Sequence, residues 1–146
     1  MLAEAAHPWV AKVAASNRSP NAPTAARPHL HHRLLILVFS SATSVGAVRR
    51  KAWRMLQVSQ GPPAHGWHLL FVVGNPAHNE FESTPPNEGT VDGDVLRLDR
   101  THDSYGDLSA KVLDAIRWAV VHWRFDYLFK ADDDTYVCTR DVVELL

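Results

Sequence analysis

The chain has 146 residues, 46% hydrophobic and 21% charged, with a formal net charge of −1. This is at most one domain's length with an ordinary globular balance, and its near-neutral charge predicts no nucleic-acid or anionic-membrane partner. The single cysteine, Cys138, excludes an internal disulfide and a Cys-based zinc site.

Residues 1–33 hold four prolines, scattered alanines and no sustained apolar period, so they read as a flexible leader. Their four basic residues face one acid, Glu4, whereas the remainder holds 11 basic and 15 acidic residues. The cluster His29, His31, His32 has no carboxylate or cysteine beside it, which favours a solvated linker over a metal tract. No charged-then-apolar signal opens the chain, and its longest apolar run, Leu34 to Phe39, is far short of the roughly 20 residues of a membrane span.

From residue 34 the pattern alternates. Leu34 to Phe39 is a continuous apolar run, as expected of a strand buried on both faces. Ser40, Ser41, Thr43 and Ser44 supply cap chemistry for a helix over Val45 to Val58. That helix shows Val48, Ala52, Met55 and Leu56 at helical spacing, with Arg49, Arg50, Lys51 and Arg54 on its expected exposed side. Gly61-Pro62-Pro63 stops it. Trp67 to Val73 reads as a second buried strand, residues 77–93 as a loop, and Val95 to Leu98 as a short third strand.

A longer helix is expected over Asp107 to Arg124, with an apolar stripe of Leu108, Val112, Ala115, Ile116, Ala119 and Trp123. Lys111 lies off that stripe, Asp107 and Lys111 form a favourable i,i+4 pair, and Ser104 with Asp107 resembles a capping box. Phe125 to Lys130 then reads as a strand running into Asp132-Asp133-Asp134. Thr135 to Cys138 is a further extended piece, and a last helix begins at Thr139 or Arg140. Alternation of this kind implies an α/β fold, a mostly parallel sheet flanked by helices.

The acidic triplet carries the chemistry. Adjacent carboxylates repel one another unless a cation neutralises them. These three follow an apolar strand directly, and open α/β sheets bind ligands at the carboxyl ends of their strands. Hard divalent cations prefer oxygen ligands and often bridge one or two carboxylates to substrate phosphates, so the turn suits a metal–diphosphate site. An EF-hand loop is absent, and so is a glycine-rich phosphate loop. Trp118 and Trp123 fit the core better than a sugar-stacking platform. Cys138 fits an inert packed thiol.

The segment Asp103-Ser-Tyr-Gly-Asp-Leu-Ser-Ala-Lys111, then a helix with Trp118, then Lys130-Ala-Asp-Asp-Asp134, resembles the β-1,3-galactosyltransferase family with its Fringe-like relatives. That family's pattern is Asp-Ser-Tyr-x-Asn-Leu-Thr-x-Lys-Thr, a helix containing Trp, then Lys-x-Asp-Asp-Asp. Asp107, Ser109 and Val112 depart from it. Glu88 followed by Gly93-Asp94-Val95-Leu96, and Arg50-Lys-Ala-Trp-Arg54, match two further landmarks in order. The Thr-Trp that usually follows the latter is Leu56-Gln57 here.

The resemblance covers residues 34–146. It implies a GT-A-like, Rossmann-like domain, incomplete at its C-terminus, that moves a hexose, galactose by preference, from a UDP-sugar to a glycan or glycoprotein acceptor with inversion. It makes Asp134 the ligand of Mn²⁺ and puts Asp133 against the donor's ribose or phosphate, with Asp132 shaping the turn on the donor side. Arg50 and Arg54 (with Arg49 a further candidate) fall near the nucleotide, and Lys111 near the Asp triplet or the donor phosphates. The family's general base lies downstream of the triplet, beyond Leu146, so the 146 residues alone are expected to bind donor weakly without turnover. Golgi membrane residence follows from the family, although no anchor is visible. Two alternatives stand beside this reading: a noncatalytic α/β fragment whose Asp-rich turn is merely solvated or cation-binding, and a different GT-A nucleotide-sugar enzyme such as a nucleotidyltransferase.

Overall fold

The structure, a computed structural model, describes residues 10–12, 31–60, 66–75 and 93–146. Its elements are β1 (Val10–Lys12), β2 (His31–Phe39), α1 (Ser44–Ser59), β3 (Trp67–Asn75), β4 (Val95–His102), α2 (Leu108–His122), β5 (Arg124–Asp132) and α3 (Thr139–Leu145). The five strands form one sheet in the order β1-β5-β2-β3-β4. β5, β2, β3 and β4 run parallel, and β1 pairs antiparallel with β5. The α/β class read from the sequence is thus the observed one. Within the expected leader, Val10–Lys12 contributes an edge strand and His31–Arg33 open β2. The rest of that leader, the Gly61-Pro62-Pro63 stop and most of the expected 77–93 loop lie outside the described residues.

β2 is central because Leu34 to Phe39 have no polar side chain to present to water. Alternate residues enter opposite cores. Leu35, Leu37 and Phe39 join Leu70, Val72, Leu96, Leu98, Phe125 and Leu128 under α2, which contributes Ala115 and Ala119. Leu34, Ile36 and Val38 join Leu69, Phe71 and Ala131 under Trp53 of α1 and Val143 of α3. The result is three layers, helices on both faces of a mostly parallel sheet. Trp118 and Trp123 pack partly buried against the first core, as expected. No helix among the described residues is long and apolar enough to cross a membrane.

α1 turns a different face inward from the one its apolar pattern indicates. Gly46, Arg50 and Trp53 are its buried residues, at spacings of four and three. Val48 and Met55 are 69% and 66% exposed, and Ala52 and Leu56 are exposed with them. Two contacts decide this orientation. Thr43 is the N-cap, its Oγ1 accepting from the Gly46 amide at 3.2 Å, so the first turn is drawn onto the β2–α1 loop. The approach is so close that a Cβ at Gly46 would lie 2.2 Å from the Ser41 carbonyl oxygen. Arg50, one turn on, is then fully buried, with Nη1 donating to Ser40 Oγ at 2.7 Å and to the Ser41 carbonyl at 2.6 Å. The hydrogen bonds available on that side outweigh the apolar area left in water.

Smaller differences have local causes. β4 runs on to His102, past the expected Leu98, with a register irregularity beside Gly74 and Asn75. Thr135 to Cys138 form no strand, because the chain turns at once, the Thr135 amide donating to the Asp132 carbonyl at 3.1 Å. α3 does begin at Thr139, whose amide donates to Gln60 Oε1 at 2.8 Å and whose hydroxyl bonds the side-chain oxygens of Gln57 and Gln60. Ser104 and Asp107 bond each other, hydroxyl to carboxylate at 2.7 Å and amide to hydroxyl at 3.1 Å, but the N-cap of α2 is Asp107 itself, with no side-chain cap bond, so the expected capping box does not form.

At the amino end of the sheet His32 packs against His68 and Trp123, with ring centroids 5.2 and 5.3 Å away, while His31 pairs with Asp126 at 3.0 Å. Burial, and then the neighbouring His31, hold the His32 imidazole below its ordinary value of 6.5. The unfolded chain therefore binds more protons than the folded one just below that pH. This contribution is complete above about pH 6.5 and is lost as pH falls from there through the lower folded value.

Two outcomes follow from this packing. Trp53→Ala should lower stability by about 3–5 kcal/mol, whereas Met55→Ala should stay within about 0.5 kcal/mol, as read by urea denaturation. Unfolding free energy should fall between pH 7.5 and 5.5, and His32→Phe should flatten that dependence.

Candidate functional site

The carboxyl ends of β2, β4 and β5 surround a cleft of about 350 Å³. β2 supplies Phe39 with Ser40 and Ser41 beyond it, β5 supplies Asp132 and Asp133, and the turn after β4 supplies Asp103 to Tyr105. Arg49 of α1 and Leu108 and Lys111 of α2 complete the wall. The sheet order explains the placement. From β2 the chain crosses to β3 on one side, and β5 returns on the other, so the crevice between β2 and β5 is a topological switch point, where open α/β sheets bind ligands. Register does the rest: Phe39 pairs with Asp132, and the Asp133 amide donates to the Phe39 carbonyl at 3.0 Å.

Asp103 organises the cleft. Its side chain is 2% exposed, and its Oδ1 accepts from Lys111 Nζ at 2.5 Å and from the Gly74 amide at 2.9 Å. Its Oδ2 accepts from the Ala42 amide at 2.6 Å. One carboxylate thus ties the end of β3, the β2–α1 loop and α2 together. Lys111, 6% exposed, also donates to the Ser40 carbonyl at 2.5 Å. The sequence pattern set Lys111 off the apolar stripe and against Asp107. In the structure it is buried and paired with Asp103, because an ammonium inside the fold needs a buried counter-charge that Asp107 at the rim cannot supply.

The acidic turn is held just as specifically. Asp133 Oδ2 accepts from Ser40 Oγ at 2.7 Å and Oδ1 from Arg49 Nη1 at 3.0 Å. Its carbonyl accepts from Trp53 Nε1 at 3.1 Å. Ser40 is itself oriented by Arg50, so a buried series runs from Arg50 through Ser40 to Asp133. Asp132 pairs with Lys130 at 2.7 Å. Asp134 is exposed and has no side-chain partner among the described residues.

The structure therefore brings Asp132, Asp133 and Lys111 to the cleft wall, with Asp134 beside them in the same turn. Arg50 supports the wall from inside and is fully buried, not on an exposed helix face. Arg54 stands outside the cleft wall. Its Nε and Nη2 grip Asp94 at 2.8 and 2.9 Å, and its guanidinium lies 5.0 Å over the Phe71 ring. The roles of Asp103, Ser40 and Arg49 were not readable from local pattern. Asp103 opens the Asp103–Lys111 segment and Arg49 directly precedes the Arg50–Arg54 landmark, but Asp133 lies 84 residues from Arg49, and Ala42 and Gly74 lie 61 and 29 residues from Asp103.

The donors this turn presents are carboxylate oxygens, which suit a hard divalent cation of the Mn²⁺ kind. No group of three or more His, Cys, Asp or Glu among the described residues could hold a metal by protein ligands alone. A hard divalent cation would take Asp134, with Asp132 nearby, and draw its remaining oxygens from phosphate and water, the usual arrangement for such ions.

Fold and cleft together define an α/β protein with an acidic crevice at the switch point of its sheet. The Galactosyltransferase family profile matches residues 47–146, and the chain belongs to that family. It is 31% identical over 131 residues to beta-1,3-galactosyltransferase 6 of Mus musculus, which covers 88% of this chain and 40% of that protein. It is 29% identical over 135 residues to beta-1,3-galactosyltransferase 4 of Homo sapiens, covering 87% of this chain and 35% of that protein. It is 28% identical over 126 residues to UDP-GalNAc:beta-1,3-N-acetylgalactosaminyltransferase 1 of Mus musculus, covering 81% and 36%. The chain thus spans about two fifths or less of the length of these curated relatives.

Asp103→Asn should remove the counter-charge of a buried ammonium and lower stability by about 3–5 kcal/mol. The double variant Asp103→Asn/Lys111→Met should lose less than Asp103→Asn alone, since no unpaired charge is left inside. Equilibrium urea denaturation of the three proteins checks both.

Proposed function

We propose that this chain carries the donor-binding part of a metal-dependent hexosyltransferase, which moves galactose from a UDP-sugar to a glycan or glycoprotein acceptor with inversion at the anomeric carbon. The observation that carries the reading is the Asp132–Asp134 turn, fixed at the β2/β5 switch point beside a cleft that also presents Arg49. The relatives' names supply the reaction class, β-1,3 transfer of galactose or N-acetylgalactosamine, and family membership brings it to this chain. Golgi residence belongs to the same proposal.

The chain's own residues divide the work. Asp134, with Asp132, would hold Mn²⁺. When bound, the ion would stabilise negative charge developing on the departing diphosphate. Ser40 keeps the Asp133 carboxylate in one orientation, facing the cleft where the ribose or phosphate would lie. Arg49 supplies the cation at the cleft mouth, and a guanidinium suits phosphate oxygens by its planar fork of donors. Asp103 and Lys111 hold the floor rigid, so the cleft is formed before the donor arrives.

One observation favours a second reading. Lys130 and Arg49 already neutralise Asp132 and Asp133, so the turn could be a self-satisfied surface feature of a noncatalytic fragment. Calorimetric titration with UDP decides between them. On the donor-site reading, UDP binds in the presence of Mn²⁺ and at least tenfold more weakly in EDTA, and Asp134→Ala abolishes the difference. Binding that ignores Mn²⁺, or no binding, rejects it.

A further inference from the structure

Two cations already stand where a metal-dependent acidic turn would be expected to be bare. Arg49 Nη1 lies 3.0 Å from Asp133 Oδ1, and Lys130 Nζ lies 2.7 Å from Asp132 Oδ1. Both side chains are partly exposed, at 46% and 36%. They differ in what lies around them. Lys130 is next but one to its partner on β5 and sits 5.3 Å over the Phe39 ring. Arg49 reaches across from α1, over 84 residues of sequence, and lines the cleft together with Asp133.

We propose that Arg49 is an exchangeable internal counter-ion. It neutralises Asp133 while no metal is present, gives way when a divalent cation enters the turn, and then serves the diphosphate of the nucleotide. The proposal rests on the donor-site reading above and adds an order of events to it. Three features support it. First, like charges close together repel, so a metal held by Asp134 and Asp132 and the guanidinium on the adjacent Asp133 oppose each other. Second, Arg49 reaches an Asp133 carboxylate that is 8% exposed from a side chain that is itself 46% exposed, so the guanidinium can return to water when it leaves while the carboxylate stays in place. Third, Asp133 does not move when Arg49 leaves. Its other oxygen is held by Ser40 Oγ at 2.7 Å, and Ser40 is held by the fully buried Arg50. A carboxylate fixed on one side and loosely paired on the other suits exchange of the loose partner. The released guanidinium stays at the cleft wall, and its geometry serves phosphate as well as carboxylate.

The consequence is a pair of effects with opposite signs, which a merely structural arginine would not produce. Mn²⁺ alone and UDP at saturating Mn²⁺ are titrated calorimetrically into the 146-residue chain and into Arg49→Ala, Arg49→Gln, Arg49→Lys and Lys51→Ala. Arg49→Ala and Arg49→Gln should bind Mn²⁺ alone at least about twofold tighter, and bind UDP·Mn²⁺ more weakly by at least as much. Arg49→Lys should stay within about twofold of the parent in both. Lys51→Ala removes an exposed cation of the same helix and should change neither. If the parent binds UDP with Mn²⁺ but the Arg49 variants bind Mn²⁺ no tighter, or Lys51→Ala tightens it equally, the exchange is wrong and the donor site stands. If the parent binds neither Mn²⁺ nor UDP, the donor-site reading fails and the exchange fails with it.

Discussion

The buried pair of Asp103 and Lys111 is the constraint on which the cleft depends. A carboxylate and an ammonium taken out of water are tolerated only when they meet each other and further hydrogen bonds support both. Asp103 satisfies that condition with the Lys111 ammonium and the backbone amides of Gly74 and Ala42, and Lys111 adds the Ser40 carbonyl. These bonds join α2 to the ends of β2 and β3 across the top of the sheet. The geometry leaves no slack: a Cβ at Gly74 would sit 2.6 Å from the Thr101 carbonyl oxygen and 2.7 Å from Asp103 Oδ1. The loop carrying Ser40 and Ser41 is thereby fixed from one side by Lys111 and from the other by Arg50.

That loop positions the acidic turn. Ser40 lies between two charges, accepting from Arg50 and donating to Asp133, so a hydroxyl in β2's extension passes the rigidity of α1 to the end of β5. Trp53 works beside it, its ring in the core and its indole N–H on the Asp133 carbonyl. The result is a turn with one carboxylate held firmly, one paired at the rim and one open. Graded restraint of this kind is what a site needs if it must keep its shape yet admit a cation and an anionic ligand in turn.

The motifs that suggested the family become internal pairs in the folded chain. Asp103 meets Lys111 from the same segment, Arg54 meets Asp94 from a landmark 40 residues on, and Arg50 reaches Asp133 through Ser40. Of the residues read as donor contacts, Arg50 and Arg54 have internal partners, and Arg49 lines the cleft. Sequence order revealed that these residues belong together but not which pairs they form. An i,i+4 spacing made Asp107 the natural partner for Lys111, and only burial makes Asp103 the necessary one.

By itself the sequence determined the layers. Leu34 to Phe39 and Trp67 to Val73 read as strands buried on both faces, and their alternation with helical stretches implies a parallel sheet whose strand ends collect ligands. It also determined the acidic turn, because Asp132 to Asp134 follow an apolar strand without a spacer. Tertiary structure alone decided the rotation of α1. Its most apolar stripe, through Val48, Ala52 and Met55, faces water, while Gly46, Arg50 and Trp53 face the sheet. Local periodicity counts apolar area, but the orientation was set by hydrogen bonds from distant segments that a buried arginine and a close-approaching glycine must satisfy. The same holds for Arg49: its place on the cleft follows from the turn of that helix and from an Asp133 that lies 84 residues away in the chain.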